Sequence, residues 1–433
     1  MIRFKDVAAA LLALATLGAC GNSGDEASPP PTGLQLTPGD GVVTVTWADD
    51  PAVNYWLFIS SDSRLTTDNF TLLTDIHIVR SAVSPYVLCG NINGRTLYFA
   101  LNGRTGNGPG GPGTATFGAP SRPAGSAWVL GSAPPADFNG LGYAGITTCT
   151  TVGLPAGLFV AVGAGGSIAT STDGSTFTAQ VAPTGFNTDL FAVAGFASIP
   201  GDLTTPGLRL VAVGAGGGIV VSPDGVTWTT GVPFNVGSPS LRGVAVFAGV
   251  FVAVGDAGTT QNSADGITWT THASGPTADL QGITCTTDRC VAVGDGGTIV
   301  VSVDAGVTWS AAAVPSTPAL KKVAYGNFNN NVGSTTTAIN TWVAVGDAGS
   351  VMYSIDGGAT WSATSIAGAG DLVGIAYITQ FIALDSAGNV FTSVDGQNWS
   401  GAVATGVTAQ RGLVTTGVAY TTIGASGATA SSH

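Results

Sequence analysis

The chain repeats a segment that joins an apolar run to a glycine-rich turn. Its clearest copy reads Trp342-Val-Ala-Val-Gly-Asp-Ala-Gly-Ser-Val-Met-Tyr-Ser-Ile-Asp-Gly-Gly-Ala-Thr-Trp361. Six copies share the pattern Ser-x-Asp-(x)-Gly-x-Thr-Trp or a close variant, and successive copies start 39 to 52 residues apart. They occupy residues 171–177, 222–228, 263–269, 302–309, 354–361 and 393–399. Short apolar runs separated by glycine turns at this interval predict four-stranded sheets that repeat around a β-propeller.

The aspartate of each copy, which we call the Asp box, is predicted to shape the turn between the third and fourth strands of a sheet. Its carboxylate can accept hydrogen bonds from backbone N–H groups of the turn. The glycine permits a positive φ, and the tryptophan buries a large face. We therefore interpret six carboxylates as structural, with a cation or ligand site at each box as the alternative: Asp173, Asp224, Asp265, Asp304, Asp356 and Asp395.

The number of sheets depends on fragments at both ends of the repeat region. The sixth copy predicts strands at 371–377, 381–384, 389–392 and 398–401. Residues 126–131 resemble an isolated fourth strand, and residues 411–418 and 420–424 resemble a first and a second strand. Joined, they complete a further sheet and remove free sheet edges. The sequence therefore predicts an all-β fold with a seven-bladed propeller over residues 120–433, with six or eight blades as alternatives.

Residues 33–119 alternate between apolar and polar side chains in the manner of half-buried strands. The strands are predicted at 42–47, 55–59 and 96–101, the last after an Asn-Gly turn. A proline-rich approach, Trp47, Tyr55 and Tyr98 resemble the pattern of fibronectin type III domains. The resemblance implies a small β-sandwich that acts as a spacer or an adhesion module.

The N-terminus is predicted to be a targeting segment. Arg3 and Lys5 precede an apolar run over residues 7–19 that is too short to span a bilayer. Leu17-Gly-Ala-Cys20 resembles the lipobox of bacterial lipoproteins, which implies a signal peptide at 1–19 and lipidation of Cys20. An ordinary signal peptide with an incidental cysteine is the alternative. Residues 20–32 are predicted to form a flexible tether.

The residue after the lipobox cysteine predicts where the anchor holds the protein. It is Gly21, not aspartate, which resembles the outer-membrane sorting pattern of Gram-negative lipoproteins. We therefore expect a lipid-anchored protein of the cell envelope, in the outer membrane of a Gram-negative bacterium. The sequence does not predict whether it faces the periplasm or the cell surface.

Two families share the repeated boxes. The stretch 342–361 resembles the repeat of photosystem II assembly-factor propellers, which are seven-bladed scaffold proteins. The boxes also resemble those of bacterial neuraminidases, which are six-bladed. The first resemblance implies a scaffold, and the second implies a glycan-directed module. Because one fold hosts many functions, neither resemblance assigns an activity.

Composition argues against catalysis. Sialidases use an arginine triad, a Tyr–Glu pair and an aspartic acid, but residues 120–433 contain no glutamate, and Glu26 lies in the tether. Residues 120–433 contain five arginines, and the Arg-Ile-Pro signature is absent. The arginines are Arg122, Arg209, Arg242, Arg289 and Arg411. The three histidines are far apart in sequence. We predict no enzyme activity, no cofactor and no metal. The net charge of −12 argues against nucleic acid.

Five cysteines fit an oxidising compartment. Cys285 and Cys290 flank a predicted hairpin and can form a cross-strand disulfide, with two free buried thiols as the alternative. Cys89 and Cys149 fall in different predicted domains, where a bridge and two free thiols are equally compatible with the sequence.

One face of the propeller is predicted to bind a ligand. The first strands of the blades are predicted to begin near seven residues: Tyr143, Phe191, Arg242, Gln281, Lys321, Val373 and Arg411. Three acids fall in the turns between second and third strands: Asp256, Asp295 and Asp347. This pattern predicts a basic, partly aromatic mouth inside an acidic rim, suited to an anionic sugar, a peptide carboxylate or an acidic protein segment. Solvated strand ends without a ligand are the alternative.

These features predict a monomeric, surface-anchored, non-catalytic binding or scaffold lipoprotein. Its partner would be a protein or a glycan, recognised at one face of the propeller. The second hypothesis is a glycan-binding or degenerate sialidase-like glycoside hydrolase module.

Overall fold

A computed structural model describes residues 31–38, 42–73, 76–84, 86–89, 96–105, 113–117, 128–145, 157–197, 208–231, 238–315, 318–332, 335–378, 380–415 and 420–432. These residues separate into two compact units, one before residue 122 and one from residue 122 onward. The predicted signal peptide and Cys20 lie outside the described residues. Among the residues that are described, no helix is long and apolar enough to cross a membrane.

The first unit consists of two antiparallel sheets. Its strands are β1 (Gln35–Pro38), β2 (Val42–Thr46), β3 (Asn54–Ser60), β4 (His77–Ala82), β5 (Tyr86–Cys89), β6 (Tyr98–Arg104) and β7 (Thr114–Phe117). One sheet has the order β1-β2-β5 and the other β4-β3-β6-β7, with a 3-10 turn at Phe70–Leu72. Trp47 and Tyr55 pack at 5.6 Å between ring centroids, within a buried cluster that includes Val45 and Leu101. The fibronectin-like assignment of this unit stays a prediction.

The second unit contains twenty-eight described strands. The first fourteen are β8 (Trp128–Leu130), β9 (Phe138–Gly145), β10 (Gly157–Gly163), β11 (Ile168–Ser171), β12 (Thr178–Gln180), β13 (Leu190–Ala197), β14 (Leu208–Gly214), β15 (Ile219–Ser222), β16 (Thr229–Thr230), β17 (Leu241–Phe247), β18 (Val250–Gly255), β19 (Thr259–Ser263), β20 (Thr270–Ala273) and β21 (Leu280–Cys285).

The remaining fourteen strands continue the same series. They are β22 (Cys290–Gly294), β23 (Ile299–Ser302), β24 (Ser310–Ala311), β25 (Leu320–Val332), β26 (Thr335–Gly346), β27 (Ser350–Ser354), β28 (Ser362–Ser365), β29 (Leu372–Tyr377), β30 (Phe381–Asp385), β31 (Asn389–Ser393), β32 (Val403–Ala404), β33 (Gln410–Thr415), β34 (Tyr420–Gly424) and β35 (Thr429–Ser432).

These strands form seven four-stranded antiparallel sheets within the described part of the unit. Six sheets take four consecutive strands each, from β9–β12 to β29–β32. The seventh has the order β33-β34-β35-β8, so both ends of the unit share one sheet. The number of sheets equals the predicted number of blades.

The predicted strands differ from the structure in two details. The first, second and fourth strands of the last sheet lie close to the predicted residues, and β35 at Thr429–Ser432 supplies a third strand that was not predicted. The fourth strand of the sixth sheet lies at Val403–Ala404 and not at residues 398–401. Residues 398–401 instead continue the Asp-box turn, where Ser400 N–H donates to Thr392 O at 2.8 Å.

The first strands of the seven sheets contact one another in a closed cycle, as in a β-propeller. In order around the cycle they are β9, β13, β17, β21, β25, β29 and β33, and β33 contacts β9 again. We call them the inner strands. Apolar side chains fill the space between neighbouring sheets. Leu190, Val193, Leu210 and Trp228, for example, are buried in one cluster with Val160 of the preceding sheet.

The two ends of the ring differ in their turns. In six sheets a 3-10 turn joins the second strand to the third: Ala164–Gly166, Ala215–Gly217, Asp256–Gly258, Asp295–Gly297, Asp347–Gly349 and Ala425–Gly427. These turns lie beside the first residues of the inner strands, because the strands are antiparallel. The Asp boxes join third to fourth strands at the opposite end.

Candidate functional site: the mouth of the ring

One residue from each inner strand lines a single cavity at the end of the ring that carries the 3-10 turns. Counting the first residue of each inner strand as position 1, these residues occupy position 2: Asn139, Phe191, Arg242, Gln281, Lys321, Val373 and Arg411. The cavity has a volume of about 360 Å³. We call this ring of residues the mouth. Six of the seven predicted strand starts lie in it.

Tyr143 is the seventh predicted residue, and its predicted place in the ring is wrong. The inner strand begins at Phe138, which is buried, so Asn139 stands at position 2. Tyr143 lies at position 6, where its ring packs 4.8 Å from that of Phe159. Tyr325 and Tyr377, at the same position of other sheets, also pack on the second strand. Tyr143 is therefore a packing residue between strands.

The basic residues of the mouth are paired with the predicted acidic rim. Arg242 forms an ion pair with Asp256, and Lys321 forms one with Asp347. Each acid is the first residue of the 3-10 turn in the same sheet. In the fourth sheet, Gln281 Nε2 donates to Asp295 Oδ1 at 3.0 Å. Two cations of the mouth are thus neutralised by acids of their own sheets.

Arg411 and Lys321 also connect their sheets to the next one around the ring. Arg411 Nη1 donates to Asn139 Oδ1 at 2.9 Å, and its Nη2 lies 3.8 Å from Asp137 Oδ2. Lys321 Nζ lies 3.6 Å from Asp371 Oδ2. The guanidinium of Arg242 stacks 5.8 Å above the ring of Phe191, in the preceding sheet. The polar and aromatic groups of the mouth therefore hold one another in place.

A second set of side chains joins each turn to the neighbouring sheet. The residue just before an inner strand accepts a hydrogen bond from the middle N–H of the preceding sheet's turn. We call these residues the sheet-linking acceptors. The distances from the backbone nitrogen to the accepting oxygen are 2.8 to 3.3 Å. The pairs, with the acceptor first, are Asp189 and Gly165, Ser240 and Gly216, Asp279 and Ala257, Asp371 and Ala348, and Asp137 and Ser426. Just before the two other inner strands, this residue is Ala319 or Ala409, whose side chain cannot accept a hydrogen bond.

The Asp boxes lie at the other end of the ring and bind their own turns. Asp265 Oδ1 accepts hydrogen bonds from Ile267 N–H at 2.8 Å and Thr268 N–H at 2.7 Å. The hydroxyl of Ser263 donates to the same oxygen at 2.9 Å. All six box carboxylates accept backbone N–H groups of their turns in this way. These carboxylates are therefore engaged within the protein.

These hydrogen bonds favour the ionised form of the box carboxylates. In Asp356, the hydroxyl and the N–H of Thr360 donate to the carboxylate and lower its pKa to about 2. The pKa of Asp265 is lowered for the same reason, chiefly by Thr268 N–H. The box of the first sheet carries Phe177 in place of tryptophan and keeps the same contacts through Asp173.

The remaining predicted side chains are placed as follows. Cys285 and Cys290 form a disulfide across a hairpin, between the first two strands of the fourth sheet. Cys89 ends β5, whereas Cys149 lies outside the described residues, so their pairing stays a prediction. His272 shares a hydrogen bond with Asn262 at 3.2 Å. Across the described ranges, no group of three His, Cys, Asp or Glu side chains could hold a metal ion.

Asn139 at the mouth and Lys322, which lines the same cavity, were not among the predicted site residues. Asn139 and Lys322 become visible when the repeats are aligned on the buried residue at position 1, which is leucine in five inner strands and Phe138 in the first. The signal was present in the sequence. It was missed because Asn139-Gly-Leu-Gly142 contains few of the apolar residues expected of a strand.

The closed ring of four-stranded sheets defines this unit as a β-propeller, and solved structures support that class. The structure of YCF48 bound to D1 peptide matches with a TM-score of 0.52 and 14% identity, covering 71% of this chain and 97% of that chain. The WD40 β-propeller domain of Doa1 matches with a TM-score of 0.50 and 10% identity, over 70% and 94% of the two chains. The structure of U3-55K matches with a TM-score of 0.51 and 10% identity, covering 72% of this chain and 99% of that chain.

At these identities the likeness shows the fold alone. No protein-family profile matches the chain, and no curated protein matches its sequence.

Proposed function

We propose that the protein is a lipid-anchored, non-catalytic scaffold of the cell envelope that binds a protein partner at the mouth of its propeller. One observation carries the proposal: position 2 of all seven inner strands lines one cavity. Arginine, lysine, glutamine and phenylalanine side chains of different sheets meet at this position. A surface of this composition suits recognition of a polar protein segment.

The internal pairing of the mouth supports a recognition role over a catalytic one. Arg242 and Lys321 are held by acids of their own sheets, so their orientation is fixed before a partner arrives. Preorganised side chains lose less conformational entropy on binding. In each pair, the cation can release the acid of its own sheet and bind an acidic group of the ligand instead. The propeller neighbours include YCF48 with a bound D1 peptide, which is in keeping with a protein partner.

Membrane attachment is the second part of the proposal. Cys20 follows a signal-like segment and precedes the tether at 20–32, so a lipid on its thiol would hold both units at a membrane surface. The outer membrane of a Gram-negative bacterium is the proposed location.

A photo-crosslinking experiment tests the proposal directly. A benzophenone amino acid replaces Phe191 at the mouth of the full-length protein, expressed in its own host. In the control protein the same group replaces Val303, an exposed side chain in an Asp-box turn at the opposite end of the ring. We expect a discrete crosslinked protein from the Phe191 variant alone. Equal crosslinking from both positions, or none at the mouth, would contradict the proposal.

A further inference from the structure

Lys322 departs from the pattern of the inner strands. At position 3 the other six strands carry glycine or alanine: Gly140, Ala192, Gly243, Gly282, Gly374 and Gly412. These small residues are needed where strands approach closely. A Cβ on Gly282 would lie 2.4 Å from Lys321 O of the next sheet, and one on Gly140 would lie 2.4 Å from Phe191 O. The fifth inner strand therefore carries a long cationic side chain at a position where the other six carry a small residue.

The ammonium group of Lys322 has no partner among the residues that the structure describes. Its neighbour Lys321 pairs with Asp347 and Asp371, and Arg242 and Arg411 also have acids nearby. Lys322 is partly buried, and it lines the cavities described below. This burial lowers the pKa of Lys322. A cation in such surroundings gains most from an added anion.

The space around Lys322 can hold a small ligand. Lys322 lines both the mouth cavity and a second cavity of about 380 Å³ that follows the inner strands. Immediately beyond it, position 4 of the inner strands is aliphatic throughout. Leu141, Ile283 and Leu413 line this second cavity and are only partly buried. The site therefore combines one unpaired cation with an aliphatic wall.

We propose that Lys322 binds a carboxylate group that enters the propeller through the mouth, with its aliphatic portion against the position 4 side chains. The inference rests on the proposed function, because it names the chemical group that the mouth recognises. The protein's own carboxylates indicate the class. At this end of the ring, Asp137 and Asp371 approach Arg411 and Lys321, two of the three cations at position 2. Lys322 is the cation left without such a carboxylate.

Lysine labelling gives a direct test with the full-length protein. The chain contains only three lysines, Lys5, Lys321 and Lys322, so ¹³C-lysine yields at most three Cε signals. The Lys322→Met variant assigns one of them. Butyrate is titrated against its neutral analogue butyramide at constant ionic strength, with inorganic phosphate as a further probe. We expect butyrate to shift the Lys322 signal saturably, and butyramide to leave it unchanged.

Variants extend the test to the ligand. Saturation-transfer signals of butyrate should persist in Lys322→Arg and fall at least tenfold in Lys322→Met. A response to butyrate equal to that produced by chloride would overturn the proposal, and a response to phosphate alone would overturn the carboxylate class. N-acetyl-trialanine and its C-terminal amide then distinguish the source. Tighter binding of the free acid than of butyrate indicates a peptide end, and the reverse indicates a small metabolite.

The outcome separates this inference from the proposed function. Crosslinks at Phe191 that persist in Lys322→Met would leave the scaffold function standing and refute the role of Lys322 in recognising the partner. A saturable butyrate response in a protein that gives no crosslinks at the mouth would support the carboxylate site at Lys322 and contradict the scaffold function.

Discussion

Asp371 accepts a hydrogen bond from the backbone N–H of Ala348 at 3.0 Å, and so joins the turn of the fifth sheet to the inner strand of the sixth. The same carboxylate lies 3.6 Å from Lys321 Nζ. One side chain thus links two neighbouring sheets and orients a residue of the mouth. Four other sheet-linking acceptors repeat the arrangement around the ring. The mouth is therefore built on hydrogen bonds between sheets as well as on apolar packing.

The place of Ala319 predicts a stabilising substitution. In Ala319→Asp the new carboxylate can accept the N–H of Gly296, which has no acceptor among the described residues. A hydrogen bond of this kind contributes about 0.5–1.5 kcal/mol. We expect a higher midpoint of thermal unfolding, measured by calorimetry. The reverse substitution, Asp371→Ala, should lower the midpoint. Unchanged midpoints in both variants would show that the sheet-linking acceptors do not stabilise the ring.

Asp265 is predicted to stabilise its turn. Asp265→Ala removes the acceptor for Ile267 N–H and Thr268 N–H, which are then left to water. We expect a loss of about 1 kcal/mol in the free energy of unfolding, because the turn itself is exposed. Denaturant unfolding measures the change. Asp265→Asn keeps one acceptor oxygen and should retain part of the stability. Equal midpoints for wild type and Asp265→Ala would contradict the structural role.

The lowered pKa of an Asp-box carboxylate predicts that the protein loses stability at acidic pH. The pKa of Asp356 is lowered to about 2 in the folded protein from 3.8 for an unperturbed aspartate. The unfolded state therefore takes up the proton first as the pH falls, and stability declines from about pH 4 down to about pH 2. Above pH 5 this carboxylate should contribute its full stabilisation. Asp356→Asn should lose less stability than wild type between pH 5 and pH 3, in parallel denaturation series.

The disulfide between Cys285 and Cys290 predicts the accessibility of two thiols. In the non-reduced protein, neither cysteine should react with iodoacetamide after unfolding, since both sulfur atoms are bonded. Reduction before alkylation should add one carbamidomethyl group to each of these two cysteines, as located by peptide mass analysis. Modification of both cysteines without a reductant would rule out the bond. Cys290→Ser gives the matched control, with one reactive thiol at Cys285.

Cys20 is predicted to carry the lipid. Cys20→Ser removes the thiol that would be acylated, so the variant should remain an unlipidated precursor in its host. Labelled palmitate followed by immunoprecipitation measures the incorporation. Cys89→Ser is a suitable control, because it should be labelled like the wild type. Equal labelling of Cys20→Ser and wild type would refute the anchor.

The repeated boxes allowed the fold class to be predicted from sequence. Each box is a local structure, because Asp265 binds residues two and three places further along the chain. A local turn leaves its pattern in consecutive residues, and six repetitions mark the interval at which the sheets recur. For the same reason the hairpin at Cys285 and Cys290 could be predicted from its short spacing.

Side-chain contacts between distant residues left no comparable signal. Arg411, for example, donates to Asn139, which lies 272 residues away. The sequence predicted that the first inner strand begins near Tyr143, whereas this strand begins at the buried Phe138, which places Asn139 at the mouth. The assembled ring brings Lys322 beside the small residues at position 3 of the other inner strands.

The amino-acid sequence by itself determined the repeating sheets, the Asp-box turns and the identity of most residues at the mouth, since these follow from local periodicity. The tertiary structure alone decided which charges neutralise one another and which cation remains free. Arg242 and Lys321 gain acids because each turn folds back beside its own inner strand. Lys322 forms no ion pair within the described residues, because Asp295 and Asp347, which line the same cavity, bind Gln281 and Lys321 instead.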